Sequence, residues 1–130
     1  MKFSRFVFIA AGVWGVVVLA PLFFLVDISG RQYPAPGSYP QFFYGFLAVA
    51  LAWQVAFFVI ASNPARFRLM MIPAIIEKLG YIIGTAVLYA HARIDAAALT
   101  TVTPDSVLCL LFVIAFVKTP SVDAMESRSR

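Results

Sequence analysis

The sequence predicts an all-α integral membrane protein, a four-helix bundle with both termini in the cytoplasm. Three observations predict it: the composition, four apolar segments of spanning length, and the placement of Lys and Arg. Of the 130 residues, 62% are hydrophobic and only 12% are charged, whereas soluble domains carry about 25% charged residues. We therefore expect the chain to reside in a lipid bilayer.

About 20 residues at 1.5 Å rise cross a hydrocarbon core of about 30 Å. The predicted spans are 6–26, 41–61, 69–90 and 98–118, and residues 120–130 form a polar, loosely structured cytoplasmic tail. The first apolar run is longer than a signal-peptide core, so we interpret it as an uncleaved span. Pro64 should end the second helix, and Pro73 should either open or kink the third.

The fourth span is the least regular, because its strongly apolar part, 107–117, is only eleven residues long. Thr103 as N-cap and Pro104 in the first turn would give a helix of about 24 Å, which requires a locally thin membrane. Alternatively, AAALTTVT extends the helix upstream through a proline kink, with its polar residues covered by neighbouring helices. We favour the longer helix.

Basic residues give the orientation. Two lie on one side of the four-span arrangement, Arg31 and Arg93, and seven on the other: Lys2, Arg5, Arg66, Arg68, Lys118, Arg128 and Arg130. The positive-inside rule then places both termini in the cytoplasm. We expect a multi-pass protein of the bacterial inner membrane.

Glu77 and Lys78 lie inside the third span. On a helix they are about 100° apart, so we expect them to face different surroundings and not to form a salt bridge. Glu77 shares a face with Gly80 and Gly84, whose GxxxG spacing suits close helix packing. Lys78 should lie on the lipid side beside Ala74, its ammonium extended toward the headgroups.

The candidate polar intramembrane site comprises Glu77, Lys78, Gln54 and Asp105. Glu77 could carry a proton or face a substrate; the favoured interpretation is structural, with Arg66, Arg68 or Gln54 as its partner. Asp105 could be the charged centre of a small polar cavity, or part of a solvated loop and helix start, which is favoured. Gln54 should hydrogen bond across helices.

Several function classes lack support. The net charge of +4 is scattered, without the basic stripe of a nucleic-acid-binding protein. One cysteine, Cys109, excludes an internal disulfide and a cysteine-based metal cluster. One histidine, His91, excludes a bis-histidine haem site within the chain. We find no catalytic motif and expect no cofactor and no metal.

The blocks YPQFFYGFLAVALAWQ, NPARFR with MIPAIIEKLGY, and LFVIAFVKT resemble a group of small bacterial four-span inner-membrane proteins, broadly DoxX-like in size and topology. The resemblance implies the four-span topology and no activity.

Three functional hypotheses follow. The first is an accessory or scaffold subunit of an inner-membrane assembly, or a homo-oligomer, with the bilayer and other membrane subunits or itself as partners. The second is a binder of small hydrophobic molecules or a proton-coupled transporter that uses Glu77. The third is a membrane enzyme acting on lipid or quinone.

Overall fold

The computed structural model describes residues 1–24 and 40–130, and all regular structure in these ranges is helical. The α-helices are α1 (Lys2–Leu19), α2 (Pro40–Ser62), α3 (Met71–Ala90), α4 (Ala96–Leu99), α5 (Thr103–Lys118) and α6 (Val122–Arg128). Short 3-10 turns occupy Ala20–Phe23, Arg68–Met70 and Thr100–Val102.

Four helical segments are long and apolar enough to cross a membrane. With the turns that adjoin the helices, they are Lys2–Phe23, Gln41–Ser62, Arg68–Ala90 and Ala96–Arg128. This confirms the all-helical fold with four helices of spanning length.

Prolines define several helix ends. Helix α2 ends at Ser62, before Pro64, as predicted. Pro73 lies in the first turn of α3, where its missing N–H has no intrahelical acceptor to lose, so it opens the helix. Helix α5 ends at Lys118 because Thr119, which precedes Pro120, is extended, with φ −88° and ψ 115°.

The fourth segment follows the longer alternative, because α4, a 3-10 turn and α5 are consecutive from Ala96 to Lys118. The N-cap prediction for Thr103 is wrong, since Thr103 is the first residue of α5 and Asp95 caps α4 by accepting from the Ala98 amide at 2.7 Å. The fourth helical segment therefore begins at Ala96, upstream of the alternative start at Thr103.

The threonines before α5 are exposed and not covered by neighbouring helices as expected. The hydroxyls of Thr100 and Thr101 donate to the carbonyls of Ala97 and Ala98, at 2.6 and 2.7 Å. Their polar groups are therefore satisfied within their own helix, as hydroxyls in membrane helices can be.

Helix α1 packs most extensively on α2 and also on α5, α3 packs on α5, and α2 makes few contacts with α3. A Cβ at Gly12 would lie 2.7 Å from the Phe58 ring, and a Cβ at Gly15 would collide with the Gln54 side chain. These two glycines let α1 and α2 approach closely. By contrast, a Cβ at Gly80 or Gly84 would meet open space in the described chain.

Three phenylalanines form the centre of the core. The ring centroids of Phe8 and Phe112 are 4.4 Å apart and stacked, and Phe57 meets Phe112 edge-on at 5.0 Å. Other buried residues of the core are Val7, Ala11, Ile60, Ala61, Met71, Ala74 and Ala115. We call this part of the bundle the packed half.

Both described termini lie at the end of the packed half. The Ser4 and Thr119 hydroxyls are 2.7 Å apart, and Arg5 Nε donates to the Ala61 carbonyl at 3.1 Å. The tail, expected to be loosely structured, forms helix α6, whose residues are all exposed. The opposite half, toward Leu22, Phe46 and Thr101, contains a cavity, and we call it the open half.

Candidate functional site

Lys78 is the most buried charged residue in the described chain, with 7% of its surface exposed. Its Nζ lies 2.7 Å from Asp105 Oδ1 and 3.3 Å from Glu77 Oε2. It also lies 5.5 Å from the centroid of the Phe57 ring. We call Glu77, Lys78 and Asp105 the ion triad; it joins α3 to α5 at the boundary between the packed and open halves.

The prediction that Lys78 faces lipid is wrong. Lys78 lies on the buried face of α3 together with Met71, Ala74 and Thr85. The nearer end of the Arg68–Ala90 segment is ten residues away, about 15 Å along a helix. A lysine stem is too short to reach headgroups from there, so an ion pair with Asp105 satisfies the ammonium instead.

Glu77 was expected to face away from Lys78, but the flexible Lys78 stem brings Nζ across to it. Glu77 Oε2 is buried, and among the described residues it has no hydrogen-bond partner. The 3.3 Å contact is thus an ion pair without hydrogen-bond alignment.

Neither arginine proposed as a structural partner of Glu77 contacts it. Arg68 Nε donates to the Thr119 carbonyl at 2.7 Å, and its guanidinium lies 3.9 Å from the Phe116 centroid. The Arg66 guanidinium lies 5.7 Å from the centroid of Phe67. Both arginines belong to the end that carries the termini.

Asp105 lies in the first turn of α5, with about a quarter of its side chain exposed. Its carboxylate is therefore partly accessible from the cavity and pairs with Lys78 across the contact between α3 and α5.

Gln54 is buried, with 2% of its surface exposed. The predicted hydrogen bond to another helix is not made by its amide nitrogen. Its Nε2 donates to the Ala50 carbonyl of the same helix at 2.8 Å. The side chain instead fills the space opposite Gly15. The close approach of α1 and α2 at Gly15 therefore fixes the position of the Gln54 side chain.

The four predicted polar residues line one cavity of about 270 Å³ between α1, α2, α3 and α5. Its walls are otherwise mostly apolar: Ala11, Trp14, Gly15, Val18, Leu19, Leu22, Phe46, Ala50 and Leu108, with Tyr81 and Thr101 as further polar residues. The volume is just below the lower end of ordinary small-molecule sites.

Tyr81 and Thr101 were not predicted as neighbours in this site. Their hydroxyl oxygens are 3.1 Å apart, joining α3 to the segment before α5. Tyr81 lies one helical turn beyond Glu77, and this spacing indicates that the two side chains share a face of α3. Thr101 precedes Asp105 by four residues, a helical spacing that groups the two, but only the packing of α3 on α5 brings Thr101 close to Tyr81.

The polar residues between α3 and α4 lie elsewhere. His91, Arg93 and Asp95 are exposed and do not line the cavity. In residues 1–24 and 40–130, no group of three or more His, Cys, Asp or Glu side chains could hold a metal ion. Cys109 is buried and free.

No protein-family model, curated protein or solved structure matches this chain. The resemblance to DoxX-like proteins stays a prediction.

Proposed function

We propose that the chain is a multi-pass protein of the bacterial inner membrane with both termini in the cytoplasm. The support is four helices of spanning length and the concentration of basic residues at the end that carries the termini. Arg5 and Arg68 hold that end together through the Ala61 and Thr119 carbonyls.

Single cysteines introduced into a Cys109→Ala background test this orientation. We expect an impermeant thiol reagent to label Arg93→Cys in cells with only the outer membrane opened, and Ser129→Cys only after the inner membrane is lysed. The reverse pattern would contradict the orientation. Labelling of both sites before lysis would contradict insertion across the membrane.

In this arrangement the polar site lies at mid-depth. Segment Arg68–Ala90 has its midpoint at residue 79, segment Ala96–Lys118 at 107, and segment Gln41–Ser62 between 51 and 52. Lys78, Asp105 and Gln54 therefore lie within about 5 Å of the centre at 1.5 Å per residue. A charge there costs about 3 kcal/mol on insertion scales, so charged groups at this depth mark functional sites by default.

We propose that the protein binds a small molecule in the mid-depth cavity, with the ion triad as its polar recognition group. The carrying observation is that a buried lysine and two carboxylates form the wall of a cavity and not the centre of a packed helix interface. If these ion pairs served only to hold the helices together, we would expect protein groups to cover the surface of the ion triad that instead faces the cavity. No catalytic activity is proposed.

Filling the cavity tests this proposal. Ala50 lines the cavity, whereas Ala52 faces outward on the same helix, so Ala50→Leu and Ala52→Leu add the same atoms in different places. We expect a small molecule, identified by mass spectrometry, to co-purify with the wild type and Ala52→Leu but not with Ala50→Leu. Identical small-molecule contents in all three proteins would overturn the proposal.

A second candidate function is association, as an accessory or scaffold subunit or as a homo-oligomer. It is favoured by the exposed Gly80 and Gly84 on α3, where the described chain leaves room for another helix. Gly84→Leu should then disperse a complex on native gels, while Gly45→Leu, equally open on α2, should not. Intact complexes in both variants would contradict this role for α3.

A further inference from the structure

The charges around the cavity do not balance. Among the described residues that line it, two carboxylates face one ammonium. Lys78 is closer to Asp105 than to Glu77, at 2.7 against 3.3 Å. Taking Lys78 and Asp105 as the neutral pair leaves Glu77 with one uncompensated negative charge when it is ionised. At mid-depth in a bilayer such a charge requires a counter-charge or a proton.

The hydrogen-bonding groups near Glu77 also favour a positive ligand. Thr101 donates its proton to the Ala98 carbonyl, so in the 3.1 Å contact it is Tyr81 that donates to Thr101. Lone pairs of the Tyr81 oxygen are then left as acceptors. The Gln54 amide donates to Ala50, and Lys78 is directed to two carboxylates. The cavity thus offers acceptors at Glu77 and Tyr81, while the hydroxyl protons of Tyr81 and Thr101 and one N–H of Gln54 are engaged.

No other charge within the described lining offsets Glu77. The titratable groups that share the cavity with it are Lys78 and Tyr81 on its own helix and Asp105 on α5. The lining residues of α1 and α2 are uncharged, with Gln54 their one strongly polar side chain. One proton or one monovalent cation at Glu77 brings the ion triad to zero net charge.

The apolar part of the site indicates the rest of the ligand. A shallow, wide-open groove of about 310 Å³ lies beside the cavity and is lined by the mostly apolar side chains of Trp14, Pro104, Val107 and Leu108. Trp14 and Leu108 line both spaces, so the two adjoin at these side chains. The Trp14 ring can pack against an apolar group and attracts a cation at its face.

We propose that the ligand is a small organic monocation with an apolar body, and that it exchanges with one proton at Glu77. When the cation binds beside the carboxylate, the Glu77 carboxyl releases its proton to water; when the cation leaves, a proton returns. The two states carry equal net charge in the membrane. This inference rests on the proposed small-molecule binding and names the class of ligand.

Benzyltrimethylammonium and its uncharged isostere neopentylbenzene test the inference with purified protein in detergent. They have the same shape, and the quaternary cation has no exchangeable proton, so any proton released into weak buffer comes from the protein. We expect the cation to bind more tightly than the isostere and to release about one proton per molecule bound. Glu77→Gln should weaken cation binding by about tenfold or more and abolish proton release.

Glu126→Gln is the matched control, because Glu126 is an exposed glutamate on α6 far from the cavity lining. It should bind the cation and release the proton as the wild type does. Equal binding of the two probes without proton release would overturn the cation inference and leave small-molecule binding intact. Binding of neither probe, with identical co-purifying molecules in the Ala50→Leu and Ala52→Leu proteins, would overturn both proposals.

Discussion

The two halves of the bundle are built from the same four helices but are packed differently. In the packed half, Phe8, Phe57 and Phe112 fill the centre, and hydrogen bonds such as that between Ser4 and Thr119 join the helix ends. In the open half, the helices surround a partly open cavity of about 270 Å³ with one polar wall. The ion triad lies where one packing changes to the other.

The difference is instructive because the core of the packed half and the lining of the cavity both consist mostly of apolar residues. Interdigitated side chains leave no space for a ligand. A buried cluster of charged residues that the protein does not cover completely leaves space in which a ligand can bind. We infer that the packed half supplies rigidity and that the open half is available for binding. Three sets of matched variants test this difference in packing.

The largest expected effect is in the packed half. Phe112→Ala should lower the free energy of unfolding by about 4 kcal/mol, because it removes the ring that contacts both Phe8 and Phe57. Phe46→Ala, at a half-exposed cavity position, should cost about 1 kcal/mol or less. Unfolding curves in detergent micelles measure both. Equal losses would show that the two halves do not differ in packing.

The next effect concerns the boundary between the halves. Lys78→Met should lower the free energy of unfolding by about 3 kcal/mol, since it leaves Asp105 and Glu77 without their buried counter-charge. Lys2→Met, at an exposed position, should leave it unchanged.

The double variant Lys78→Met, Asp105→Leu should recover much of that loss, because two apolar side chains replace the principal pair. An unaltered unfolding transition in Lys78→Met would contradict a buried ion pair. The same micelle unfolding measurement applies to all three variants.

The smallest effect compares two glycines. Gly15→Ala should lower the free energy of unfolding by about 2 kcal/mol, because the added methyl group collides with Gln54. Gly84→Ala meets open space and should raise it by up to about 1 kcal/mol through helix propensity. Similar responses in thermal unfolding would be evidence against the close approach of α1 and α2.

Local sequence signals predicted the helices well. The breaks before Pro64 and Pro120 follow from steric restrictions that act between adjacent residues. The four spans follow from apolar composition over some twenty residues. The fourth segment takes the longer form that was favoured, because Asp95 caps a helix start upstream of Thr103.

The arrangement of the site was less predictable. The sequence indicated Glu77, Lys78, Gln54 and Asp105 as polar candidates, but it assigned Lys78 to lipid. Rotation of α3 about its axis decides that question, and it depends on which neighbouring helix supplies a counter-charge. The GxxxG spacing drew attention to Gly80 and Gly84, whereas the close contact inside the chain uses Gly12 and Gly15.

Composition and neighbours along the chain are enough to fix the helical class, the four apolar segments and the residues that are too polar for lipid. Tertiary structure alone decided that Lys78 joins Asp105 across 27 residues of sequence and that Tyr81 meets Thr101 beside them. Such pairings depend on the rotation and packing of whole helices, which no local pattern of residues specifies.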